Sequence, residues 1–480
     1  MLRLRYFLEA VIIIPLFLLL VPLAWAADPN GASTLASDPN LAVNFTWVLM
    51  AAFLVFLMQG GFAMLESGLT RAKNAGNILM KNLVDFSAGS IAYWLVGFAI
   101  MFGTSASFII GTDGFLLLGE AYDVDNYKLW MFQAVFAATA ATIVSGAMAE
   151  RTKFKAYIVY TVVITALIYP VYGHWVWGGG WLSQLGDWYG LGLGHLDFAG
   201  SGVVHMVGGM SALAGAMVVG PRIGKYASNG KPLAIPGHNL PIAILGVFLL
   251  WFGWFGFNAG STLAATELRI AVIAVNTNLA AAAGALVAVA ITWKKYGKSD
   301  VSMAGNGALA GLVAITAPCA WVESWAAVVI GLIAGIIVVK GVEIIDNRGI
   351  DDPVGAIAVH GLSGAWGLAS VGIFADGTYG NYTTDAPYVI GVLYGGGFGQ
   401  LLAQLIGIGA NFIWVFGVAY VTFRIIKSTM GLRVSKEVEL RGLDISEHGV
   451  VAYPDFMAIE EKEVPLEKSK GKVAKEAKKK

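Results

Sequence analysis

The sequence predicts an all-α polytopic membrane protein: eleven transmembrane helices arranged as an inverted five-plus-five repeat. Three observations point there. Hydrophobic residues make up 57% of the 480 positions and charged residues only 13%, whereas a soluble chain needs about 25% charge to cover its surface. Apolar runs long enough to cross a hydrocarbon layer of about 30 Å recur along the chain. Finally, "DFAGSGVVH" (197–205) returns as "DPVGAIAVH" (352–360), an Asp and a His at one spacing in two distant apolar segments.

Taken in order, residues 1–26 read as a signal peptide. Arg3 and Arg5 precede the apolar run Val11 to Leu23, and "AWA" closes it before Ala27. An additional membrane span is the alternative. The transmembrane domain follows over 41–425, with spans expected at 43–66, 85–110, 129–149, 156–176, 198–219, 240–262, 269–293, 303–319, 323–345, 353–374 and 388–425. The first repeat covers about 41–220 and the second about 240–375, leaving 388–425 as the eleventh helix. The 61 glycines suit helices whose backbones lie in close contact. Cys319 is the only cysteine, which excludes an intrachain disulfide and any cysteine-based metal site.

Charge sets the orientation. Arg71, Lys73, Lys81, Arg151, Lys153, Lys155, Arg222, Lys225, Lys231, Lys294, Lys295, Lys298, Lys340 and Arg348 are assigned to one side. Opposite connections carry only Lys128 and Arg269, beside acids such as Asp113, Asp123, Asp187 and Asp385. The positive-inside rule makes the first side cytoplasmic. An odd number of spans then places the N-terminus outside and the tail, 426–480, in the cytoplasm, in a multi-pass cell-membrane protein. That tail is too short for a kinase or nucleotide-binding domain. Its Lys-rich end reads as a disordered, solubilising segment, with contact to anionic lipid as the sharper alternative.

The Asp–His repeat explains itself once the spans are counted. Residues 197–205 open the fifth span and 352–360 the tenth, so the two copies run in opposite directions. An interval of eight residues rises about 12 Å in a helix, which brings His205 and His360 toward the midplane from opposite faces. Inverted repeats of this kind place a site at their interface. Each Asp stands at a helix start, where it can cap free N–H groups. Ionisable residues within spans are functional by default, whereas two histidines with no third ligand make a weak metal site.

Three aromatic stretches remain: "FQAVFAATAATIVSGAMAER" (132–151), "GHWVWGGG" (173–180) and "WFGWFGFNAGST" (251–262). Aromatics in membrane proteins usually serve packing or the interface, but their faces can also hold a small cation. With them, the chain resembles the ammonium transporters of the Amt/Mep/Rh superfamily. "DFAGSGVVHMVGG" is close to that family's signature, and "FQAVFAA", "VWGGG", "GWFGFNAGS", "VNTNLAAAAGAL" and "DDPVGAIAVHGLSG" follow the family's order. The likeness extends to "GLDISEHGVVAY" in the tail. One departure is "WLSQLGDWYGLGLGHL", longer than in bacterial members.

The resemblance implies a homotrimer with one pore per subunit, carrying ammonium or ammonia without a cofactor, nucleic acid or enzymatic chemistry. Trp177 and Ser261 are the expected outer ammonium site, with Phe136 as a further aromatic face. Phe136 and Phe257 are the expected gate, and His205 and His360 line the pore with Trp254 beside them. Asp197 is expected to support the outer site without touching the ion. A PII-type signal protein is a possible partner at the cytoplasmic face. Two alternatives stay open at this point: an ammonium sensor that signals through its tail, and an intramembrane metal hydrolase.

Overall fold

The computed structural model describes residues 28–38, 40–380 and 387–454. The expected signal peptide and the Lys-rich end of the tail lie outside the described residues. A short helix, Ala32–Ser37, precedes the membrane domain. The domain's long helices are α1 (Leu41–Leu69), α2 (Ala72–Phe102), α3 (Val124–Ala147), α4 (Phe154–Trp177), α5 (Ser201–Val219), α6 (Leu240–Gly260), α7 (Ile270–Tyr296), α8 (Val301–Thr316), α9 (Ser324–Asn347), α10 (Ile357–Phe374) and α11 (Gly399–Thr429). Among the described residues, ten of these are long and apolar enough to cross a membrane; α8, with 16 residues, is shorter.

Local chemistry explains several starts. Asp123, Asn239 and Asp300 accept backbone N–H bonds at the heads of α3, α6 and α8, and Pro241 occupies the first turn of α6, where its missing N–H costs nothing. Connections alternate between two faces. The tail face carries the C-terminal segment: Lys153 N–H donates to Leu432 O and Val434 N–H to Arg151 O. The far face carries two small hairpins, Ser105–Ala106 with Ile110–Gly111 and Asp376–Gly380 with Tyr388–Ile390.

Two expected boundaries need correction. The second span, expected at 85–110, is α2 at Ala72–Phe102. Its first half is polar (Lys73, Asn74, Asn77, Lys81, Asn82), which hid it from a hydropathy reading, yet all but Lys73 of these are buried against other helices. Lys81 therefore lies inside a helix, 0% exposed, and not in a basic connection. The last span, expected at 388–425, is α11 at Gly399–Thr429. The apolar start "YVIGVLY" is instead a strand and a tight turn, and Gly395 and Gly397 follow with positive φ.

Helices α3, α5 and α10 are the most enclosed of the ten, so their polar residues face protein. At the centre, α5 and α10 cross in backbone contact. A Cβ on Gly209 would overlap the backbone of Gly361. This close approach, available only to glycine, brings together the segments that carry His205 and His360.

Candidate functional site

The two histidine helices start alike. Asp197 Oδ1 accepts the N–H groups of Gly200 and Ser201, both at 2.9 Å, and Oδ2 those of Gly202 and Val203, both at 2.8 Å. One carboxylate thus satisfies the free donors at the head of α5. Asp352 does this at the head of α10, accepting from Gly355 at 3.0 Å and Ile357 at 2.7 Å. Both helices then open with a wide π-type turn, Ser201–Met206 and Ile357–Leu362, holding the histidine. Such turns are frequent at functional positions.

The imidazoles meet inside the protein. His360 Nδ1 lies 3.2 Å from His205 Nδ1, with the rings 24° from parallel. His205 also stacks on Trp254 at 4.9 Å and on Phe257 at 5.2 Å. Trp254 is fixed from behind, its indole N–H donating to Thr316 Oγ1 at 2.8 Å. His205 Nε2 is buried with no protein partner. It keeps its capacity to meet a small donor or acceptor.

On the far side, Phe136 stacks on Phe257 at 4.0 Å and 19°. Above this pair opens a cavity of ≈ 390 Å³ lined by Phe132, Gln133, Phe136, Trp177, Ser261 and Thr262, among others. Trp177 donates its indole N–H to Asp197 O at 2.7 Å, and Ser261 Oγ donates to Phe257 O at 2.8 Å. The Ser261 hydroxyl proton is therefore engaged, and its lone pairs remain for a ligand that donates. On the tail side, His360 shares a small cavity with Phe62, Glu66, Ile143, Asn306 and Val354. Phe62 stands 6.1 Å from the imidazole.

Successive contacts link the expected residues: Trp177 and Ser261 share the cavity wall with Phe136, Phe136 stacks on Phe257, Phe257 on His205 beside Trp254, and His205 on His360. Asp197 touches Trp177 through its backbone and α5 through its carboxylate. Four more residues adjoin this set and are absent from the residues expected from sequence. Phe132 lies 4.6 Å from Phe136, and its four-residue spacing within "FQAVF" was the available signal. Phe62 and Thr316 sit in runs with nothing to distinguish them from packing residues, whereas Glu66, an ionisable residue at the end of the first expected span, carried an available signal. Among the described residues no group of three His, Cys, Asp or Glu could hold a metal ion, so the metal-hydrolase alternative finds no third ligand there.

A charged cluster anchors the tail-face end of α10. Arg222 binds both oxygens of Asp351, Nε to Oδ2 at 2.8 Å and Nη2 to Oδ1 at 2.9 Å, and Glu150 Oε1 at 3.0 Å. Arg71 pairs with Glu150, and Arg151 donates to Asp351 O at 2.7 Å. Burial alone would raise the Asp351 carboxyl, but the Arg222 hydrogen bonds and the Arg151 and Arg222 charges outweigh it and hold it at about 2.

Known proteins resemble this chain over most of its length. The model of the Ammonium Transporter Family matches residues 46–453. "Ammonium transporter Amt2" of Archaeoglobus fulgidus is 59% identical over 95% of this chain and 97% of its own. "Ammonium transporter Amt1" of Haloferax mediterranei is 42% identical over 88% and 81%. Among solved structures, a "Sensor Amt Protein" superposes with a TM-score of 0.78 at 41% identity, covering 86% of this chain and all of that one. Mep2 of Candida albicans gives 0.74 at 29% identity, covering 83% and 87%.

Proposed function

The chain belongs to the Ammonium Transporter Family, and from that premise we propose that it draws ammonium from the far-face cavity and conducts ammonia along the histidine line. The continuous aromatic-to-imidazole line carries this reading. Trp177 and Phe136 offer π-faces to a cation, and the Ser261 oxygen accepts one of its N–H bonds. Potassium matches ammonium in charge and closely in size but has no proton to give. The stacked Phe136–Phe257 pair penalises a bare ion heavily and lets neutral ammonia pass, so deprotonation supplies selectivity. Beyond the pair, His205 and His360 accept, donate and relay hydrogen bonds.

On this reading the helices form eleven spans in an inverted five-plus-five repeat, with α5 and α10 as equivalent members. The protein assembles as a homotrimer with one pore per subunit, the far face outside and the tail face in the cytoplasm. The Arg and Lys bias of the tail-face connections supports that orientation. A PII-type protein would meet the tail face. Uptake or current in proteoliposomes, with ammonium set against potassium, tests the assignment; equal responses to the two cations would overturn it.

A second reading has one specific observation in its favour, the likeness to a solved chain named as a sensor. A sensor would couple ammonium at the cavity to a movement of the docked tail. Robust flux with no ammonium-dependent change at the tail argues for transport.

A further inference from the structure

Building on the pore reading above, we propose that Glu66 is a further proton-exchanging residue of the pathway, on the tail side of His360, and that Lys81 is the positioning residue that keeps its proton mobile. Glu66 lies near the end of α1 and is 2% exposed. It lines the small cavity that His360 and Val354 also line, with Gly146 beside its stem. Lys81 stands more than two turns into α2, between Asn77 and Asp85 at four-residue intervals, so the three share one helical face.

Both polar ends keep unfilled hydrogen-bonding capacity. Glu66 Oε2 and Lys81 Nζ are both buried without a hydrogen bond, and so are Ser145 Oγ and Tyr157 OH close by. The Lys81 ammonium is 5.5 Å from the centre of the Tyr157 ring, a contact that stabilises a cation without using its N–H donors. Unpaired charges in a membrane interior cost several kcal/mol each unless water or a proton shift relieves them. One water molecule would relieve the Glu66 end, since the cavity it lines with His360 has room for about one.

Such a pair has a property that a lone carboxylate lacks. Carboxylate with ammonium, and carboxylic acid with amine, carry the same net charge of zero. A proton can move between the two across a bridging water without creating a net buried charge. The step at the pore is then balanced. The Glu66 O–H bond breaks as an N–H bond forms on ammonia, giving ammonium and a carboxylate. Starting from acid and amine, this leaves carboxylate and amine; the Lys81 amine then takes a proton from solvent at the tail face and passes it to the Glu66 carboxylate, which restores the neutral acid–amine pair. One turn nearer that face, Asn77 Nδ2 meets His448 Nε2 at 2.9 Å, and His448 is half-exposed. The charged and titratable groups surrounding the pair are Asp85, Glu150, Arg151, Tyr157, Tyr160, Glu447, His448 and His360.

The test uses the full-length protein in proteoliposomes, reading initial ammonium uptake across a pH series, with thermal stability and elution volume as controls for folding. Glu66→Gln should slow uptake about ten-fold or more and flatten its pH profile. Glu66→Asp should keep the profile and recover part of the rate. Lys81→Met should move the profile, and the Glu66→Gln/Lys81→Met double variant should be no slower than Glu66→Gln alone. A folded Glu66→Gln protein with the wild-type rate and profile overturns the proposal. If Glu66→Gln does not fold, Glu66→Asp decides: a wild-type-shaped profile supports the proposal and a flat one overturns it. Wild-type protein with no ammonium uptake would instead sink the pore reading, and this proposal with it.

Discussion

His205 Nδ1 and His360 Nδ1 are 3.2 Å apart on helices that enter from opposite faces. At that distance one nitrogen donates and the other accepts, so at most one imidazole of the pair points an N–H at its partner. The arrangement calls for complementary tautomers at the two Nδ1 atoms and leaves each Nε2 outside this contact. It also disfavours two positive rings in contact. His205→Ala and His360→Ala should each abolish ammonium-selective uptake while the protein stays folded, because α5 and α10 are held by their Asp caps and by Gly209 against Gly361. The gap left by either ring should admit water and a potassium current. Uptake at the wild-type rate by both variants contradicts the twin-histidine reading.

Phe136 and Trp177 occupy the same cavity wall, but Phe257 lies behind Phe136 and away from solvent. On the proposed reading, loss of Trp177 removes a cation-facing ring and loss of Phe257 opens the barrier. Trp177→Ala should raise the ammonium concentration needed for half-maximal uptake. Phe257→Ala should change the rate or the ammonium-over-potassium ratio at saturating ammonium. Concentration series for both variants separate these effects; a mere fall in protein yield for both would assign the two rings to packing.

Asp197 accepts four backbone N–H bonds at 0% exposure. Removing the carboxylate leaves those donors without partners in a site closed to solvent. Hydrogen bonds to a charged group contribute about 1.5–3 kcal/mol each, with much non-additivity, so Asp197→Ala should be among the most destabilising single changes in the chain. Asp197→Asn keeps one acceptor oxygen and should lie between. Thermal unfolding in detergent checks the order. If Asp197→Ala unfolds with the wild-type protein, the carboxylate serves the ion and not the helix.

Much of this site was legible because its residues are rare where they stand. An Asp and a His at one interval in two apolar segments can be found by inspection, and the geometry then follows from helix rise and opposite entry. Phe62 and Thr316 gave no such signal, since a phenylalanine or threonine in an apolar run is what packing also produces. The start of α2 was hidden for the opposite reason. Asn74, Asn77, Lys81 and Asp85 read as a connection to any hydropathy window, because their burial depends on partners from α1, α3, α4 and the tail that no local pattern records. The strand at Tyr388–Ile390 was taken for helix because its apolar run matches either state; only the glycines after it marked the turn.

The Asp351 cluster gives a stability prediction with a defined sign. Its carboxyl stands at about 2 when folded, against an ordinary value of 3.8. A depressed folded value means the stabilisation is complete above the ordinary value and is lost as pH falls from 3.8 through about 2. Its size is about 2 kcal/mol for a shift of this order. Asp351→Asn should lower the unfolding temperature at neutral pH, and its deficit against the wild type should shrink once the pH drops below 3.8. A deficit that stays constant down to pH 3 would show that the Asn change acts through packing.

The tail is tied to its own subunit's membrane domain by more than charge. Asp444 accepts the N–H groups of Gly76 at 3.0 Å and Asn77 at 2.7 Å. Glu439, in the short helix α12 (Lys436–Arg441), accepts from Ile223 N at 2.7 Å and from Arg433 Nη2 at 2.8 Å. Gly431 and Gly442 take φ of 76° and 112° at the two turns, conformations that glycine adopts without strain. Of the basic residues in this segment, Arg433 is engaged in this way, while Lys436 and Arg441 are exposed. Asp444→Ala should therefore release the segment and speed its proteolysis without unfolding the helices. If a PII-type protein reads the tail face, its pull-down with the full-length chain should fail with a chain truncated at Arg433. It should also weaken with Lys436→Glu/Arg441→Glu, where the dock itself is intact. Binding to none of the forms under any nucleotide condition would leave the tail as a brace alone.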